Sequence, residues 1–175
     1  MAARKKAAKE EPRERLAPAD VEGRGVESRS RVESRARARA LQALYAWDMR
    51  AGQDLSRVAS QVWDDLAVTP EERERAGWLI HGVVKDQAGL DAELSEVTAN
   101  WRLERLGAIE RSVLRLAASE LRRGETPPKV VIQEAVRLAE RYGTEQSARF
   151  VNGIVDALAR RMGLLEGRRP ARSGR

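Results

Sequence analysis

No cysteine occurs in the 175 residues, and there is one histidine, His81. The first absence removes disulfides and thiolate chemistry, and it fits a reducing, cytoplasmic setting. The second leaves any Ser-His-Asp or Cys-His site resting on His81 alone. That residue lies in LIHGVV, a helical stretch where a core or surface histidine is the ordinary reading. Aromatic residues are only 4% of the chain. No apolar run approaches the roughly 18 residues of a membrane span, and no apolar signal-peptide core stands at the start. The glycine patterns of phosphate-cradling loops are missing, as is any cluster with metal-ligand spacing. Together these absences argue against an enzyme, a metal site, a cofactor or a membrane partner.

Charged residues make up 34% and hydrophobic ones 42%, with alanine and leucine ahead of valine and isoleucine. That balance favours an all-α protein. The net charge of +6 is uneven. Residues 1–40 hold 12 Lys and Arg against 7 Asp and Glu, and residues 160–175 hold 6 against 1, so the body between them is acidic. Basic ends on an acidic body suggest a polyanionic partner. The ends are too poor in large apolar groups to offset ordering entropy. The expected organisation is a disordered basic extension over 1–34, a helical domain over 35–162 and a basic tail over 163–175.

Apolar spacing predicts about seven helices. Leu41, Leu44 and Tyr45 mark the first, expected to start at Arg35. Leu55, Val58, Ala59, Val62 and Leu66 mark the second. TPEE predicts the third start, with Thr69 as cap and Glu72 completing a capping box, and Trp78, Leu79, Val83 and Val84 pointing inward. A fourth helix opens at Leu90 or Asp91. The fifth buries Ile109, Val113, Leu116 and Leu121 before Pro127 and Pro128 break the chain. The sixth ends at Gly143, read as a left-handed cap, and the seventh runs from Thr144 through Leu158. The carboxylates read as mostly solvated, paired with arginines three or four residues away.

The stretch SRARARALQALYAWD raises a different question, because arginines at a helix start face the positive end of the macrodipole. At roughly 100° per residue, Arg35, Arg39 and Gln42 share a stripe with Tyr45 at its edge. Arg37 points away from that stripe, with solvent still expected around it. Arg29 and Arg31 extend the basic zone. Arginine offers a fork for phosphate and a flat face for bases, while tyrosine offers a second stacking surface. The expectation is single-stranded RNA binding, with phosphates on the helix's free N–H groups. A solvated helix start with arginines chosen for solubility is the competing reading.

ARARALQALYAWD, LERLGAIERSVLRLAASEL and KVVIQEAVRLAERYGTEQSARFVNGIVDALA resemble the NusB family of bacterial transcription antitermination factors, over about Arg35 to Leu158. The resemblance implies two packed three-helix bundles and a non-enzymatic task. It implies binding of boxA-type RNA together with a small-subunit ribosomal protein, NusE. The pair would join other Nus factors on RNA polymerase, notably on ribosomal RNA operons. It maps RNA binding onto Arg35, Arg37 and Arg39, with Gln42 and Tyr45 following. It also places Glu110 and Phe150 among the family's RNA and NusE contacts, and Gln146 at that surface where relatives often carry an acid. Phe150 reads equally as edge or core, while Asn152 and Gly153 read as close helix packing. Other readings are a domain related to the one preceding some RNA cytosine methyltransferases, a DNA-binding regulator and a helical scaffold. Monomer and homodimer both stay open.

Overall fold

A computed structural model describes residues 18–50, 52–98 and 102–165, and among these it is helical with no strand. The helices are α1 Pro18–Asp48, α2 Leu55–Asp65, α3 Pro70–Lys85, α4 Gln87–Val97, α5 Ala108–Arg123, α6 Pro128–Tyr142 and α7 Glu145–Arg161, with a 3-10 turn at Leu103–Arg105. They form two three-helix bundles, α1 to α3 and α5 to α7. Helix α4 lies against α5 and α7, and α3 against α5. Contacts divide the chain after Arg31. In the first unit, exposed Arg31 pairs with Glu27 at 3.7 Å one helical turn away. The second unit, from Val32, holds the buried core and the two candidate surfaces described below.

Helix α1 starts at Pro18, so part of the segment expected to be disordered up to residue 34 is helical here. Proline suits a first helical position, and the Glu27–Arg31 pair supports the turns after it. Residues 1–17 and 166–175 of the expected tails lie outside the described residues. One consequence is a correction. Arg35, Arg37 and Arg39 stand deep inside a helix rather than at its start, so no free N–H groups lie beside them for a phosphate. The macrodipole conflict disappears with it.

Caps explain the remaining boundaries. Thr69 accepts from Glu72 N at 3.3 Å, but the Glu72 carboxylate turns to arginines on α1, so the reciprocal half of the expected capping box is not made. Asp86 accepts from Gly89 N at 3.1 Å and starts α4 at Gln87, earlier than Leu90 or Asp91. A lone aspartate three residues before a glycine is a quieter signal than TPEE. Gly143 is not left-handed, with φ −107°. A Cβ there would sit 2.8 Å from both Ala139 O and Ser147 Oγ, so the glycine permits a close approach between α6 and the first turn of α7.

The core is a single cluster whose fully buried members include Leu41, Leu90, Leu94, Leu114, Leu121 and Leu158. Each such leucine contributes about 1.5–3 kcal/mol of transfer free energy. Ala36, Ala38, Ala40 and Ala43 are buried on α1, where small side chains let neighbours approach from several directions. Trp63 of α2 is tied to this helix by an indole N–H donated to Arg39 O at 3.1 Å. Val84 is exposed, against expectation. Trp78 is half-buried, its ring stacked between the guanidinium groups of Arg75 at 4.0 Å and Arg123 at 3.7 Å.

Candidate nucleic-acid interface

The alternating arginines of α1 divide by face. Arg37 lies about 200° from each neighbour, and that rotation sends it inward. It is 3% exposed and donates through Nε to Glu120 Oε1 at 2.9 Å and through Nη2 to Oε2 at 2.6 Å. Glu33 and Glu134 stand 3.9 and 4.0 Å from the same guanidinium. Burial pulls its pKa down, but the hydrogen bonds and charge of Glu120, with the fields of Glu134 and Glu33, outweigh burial and raise it. The expected solvent around Arg37 is absent, and its fork is fully engaged by carboxylates. Arg37 is therefore a structural cation, and its assignment to RNA is withdrawn.

Arg35, Arg39, Gln42 and Tyr45 do share the outward stripe. The Arg35 side chain is 66% exposed, that of Arg39 26%, and Tyr45 is 40% exposed. Arg35 Nη1 donates to Glu72 Oε1 at 3.4 Å. Arg39 Nε lies 3.6 Å from Glu72 Oε2, and its Nη1 donates to Gln42 Oε1 at 3.1 Å. Arg29 and Arg31 are exposed on the part of α1 that belongs to the first unit.

A second surface gathers Glu110, Gln146 and Phe150 around one depression of about 340 Å³, with Arg105, Thr144 and Ser147 also in its wall. Glu110 sits in the first turn of α5 and accepts from Ser147 Oγ. Because Ser147 gives its proton to Glu110, the 2.9 Å contact with Thr144 Oγ1 has the threonine donating. Thr144 in turn accepts from Ser147 N at 3.2 Å, completing a capping box for α7. Phe150 is half-buried at the edge of the core cluster, with a face on this depression. Asn152 and Gly153 are exposed, and a Cβ on Gly153 would meet nothing within 4 Å. The close packing expected of that pair is not found.

Sequence reasoning missed the carboxylates. Glu72 and Glu120, both 4% exposed, bind arginines far away in the chain, while Glu134, 7% exposed, binds Arg137 three residues on at 2.7 Å and also lies 4.0 Å from Arg37. Amphipathic spacing could have flagged them, since each falls on or beside its helix's apolar face. Among the described residues no group of His, Cys, Asp or Glu could hold a metal ion, and no helix is long and apolar enough to cross a membrane.

Fold and surface together define a class: an all-helical protein with a polar, arginine-bearing helix stripe and a separate polar–aromatic depression. Comparison narrows it. The NusB family model matches residues 34–160. The transcription antitermination protein NusB of Sorangium cellulosum is 41% identical over 136 residues, 77% of this chain and 96% of its own. That of Anaeromyxobacter dehalogenans (strain 2CP-1) is 42% identical over 144 residues, covering 81% and 95%. Among solved structures, T. maritima NusB superposes with a TM-score of 0.68 at 35% identity, over 73% of this chain and 90% of that one. A chain from a complex of antitermination factors NusB and NusE with double-stranded RNA gives 0.69 at 27%, over 75% and 98%. The chain belongs to the NusB family.

Proposed function

We propose that this protein is a transcription antitermination factor that binds boxA-type RNA together with the ribosomal protein NusE. It then joins other Nus factors on RNA polymerase, notably during transcription of ribosomal RNA operons. The task is holding rather than catalysis, it is carried out in the cytoplasm, and it belongs to residues 35–162. The observation that carries the reading is the outward stripe of Arg35, Arg39, Gln42 and Tyr45, lying within the segment that matches the family. Guanidinium groups beside an exposed phenol suit a strand of phosphates and unstacked bases. Glu110, Gln146 and Phe150, gathered at one depression, suit the protein partner. The solved complex with NusE and RNA supports the pairing by similarity.

Gel-shift titration of a boxA-type RNA with and without NusE, across a salt series, tests this. Binding should weaken linearly on logarithmic axes with a slope of about −0.7 per phosphate contacted. NusE should tighten it. Phe150→Asp should remove the tightening while leaving the helical circular dichroism unchanged. Displacement of the RNA by duplex DNA would favour a DNA-binding regulator instead.

A further inference from the structure

The outward arginines are not idle in the free protein, because both face one carboxylate. Glu72 is held in α3, with a side chain only 6% exposed and a backbone N–H bonded to Thr69. Its two oxygens lie 3.4 Å from Arg35 and 3.6 Å from Arg39. These pairs are long beside the 2.6 and 2.9 Å bonds between Arg37 and Glu120 on the opposite face of the same helix. One face carries a tight, two-pronged lock and the other a loose clasp.

We propose that Glu72 is an internal stand-in for an RNA phosphate: it holds Arg35 and Arg39 in the free protein, and a strand must take Arg35 from it. The proposal rests on the RNA-binding reading above and adds an affinity-setting residue to it. Glu72 cannot swing out to follow the arginines, so the arginines must do the moving. A buried carboxylate left without any cation is strongly unfavourable. One arginine therefore stays, and burial selects it. Arg39 is the less exposed of the two and is further tied to Gln42, whereas Arg35 is two-thirds exposed and among the described residues is bound to Glu72. Arg35 transfers to phosphate and Arg39 remains as the counter-ion.

The exchange also selects the ligand. A free phosphate offers Arg35 one anion for another and gains little. A strand adds neighbouring phosphates and a base for Tyr45, so the exchange becomes favourable only for a polymer.

The test measures a boxA-type RNA oligonucleotide against wild type, Glu72→Gln, Arg35→Ala and the double variant over a salt series. Glu72→Gln should bind about threefold to tenfold more tightly at low salt with the slope unchanged, because the same arginine reaches the same phosphate in both proteins and only the competing carboxylate is gone. In the Arg35→Ala background the same substitution should change nothing. Equal or weaker binding by Glu72→Gln overturns the proposal while leaving the RNA-binding reading intact. Absence of RNA binding by wild type removes that reading, and this proposal with it. Helical circular dichroism and a thermal melt of Glu72→Gln itself, set beside wild type, guard against loss of fold in the variant. In guanidinium-detected NMR, RNA should shift the Arg35 side-chain signal and leave that of Arg39 in place, and the reverse pattern overturns the assignment.

Discussion

Neither Arg37 nor Glu120 can be removed alone without stranding a buried charge. Arg37→Ala should therefore cost about 3–5 kcal/mol of stability in urea unfolding. Arg35→Ala, at an exposed site, should stay within about 0.5 kcal/mol of wild type. RNA binding should rank these variants the other way. Arg35→Ala loses affinity while folded, and Arg37→Ala, assayed at a temperature where it is still folded, keeps it. The two faces of α1 were legible in the sequence, since the rotation per residue alone separates Arg35 and Arg39 from Arg37. The destination of Arg37 was not legible, because its partner lies 83 residues away and no local spacing points to it. Spacing sets Glu120 beside the apolar face of α5, but only the fold shows that Arg37 meets it there.

At the scale of elements, two glycines that look alike in the sequence have opposite surroundings. Gly143 sits where a Cβ would crowd a backbone oxygen and Ser147, so Gly143→Ala should destabilise by about 1–3 kcal/mol. Gly153 lies in the middle of α7 with open space around its Cα, so Gly153→Ala should stabilise by up to about 1 kcal/mol through helix propensity. Thermal melts of the two variants should bracket wild type. The helices themselves were readable from apolar spacing and from starts as explicit as TPEE. The boundaries that escaped were those of α1 and α4. The first lies in a charged segment with no apolar rhythm, and the second depends on Asp86 reaching its own following turn. The depression at Glu110, Gln146 and Phe150 was legible only through family likeness, since residues 40 apart in the chain share no periodicity.

Across the whole molecule, one cluster of buried side chains runs from Ala36 on α1 to Ala159 on α7. Trp63 lies within it and Trp78 packs against it. Unfolding followed by tryptophan fluorescence and by helical circular dichroism should then give one coincident transition. Separated midpoints would mean that the two bundles melt independently. The acidic body and basic ends seen in the sequence concern encounter with a polyanion, whereas affinity is set by a few arginines whose pairing no charge count reveals.

The inward lock at Arg37 also limits how this chain can diverge. Inserting or deleting one residue between Arg37 and the apolar positions that follow would turn the arginines by about 100° relative to the buried face. Arg37 would swing off Glu120, and its outward neighbours would be driven toward the interior. Substitutions along the outer stripe should be tolerated by the fold, while a change of length there should not. A library of single-codon insertions through 34–46, scored for soluble protein, should come back nearly empty.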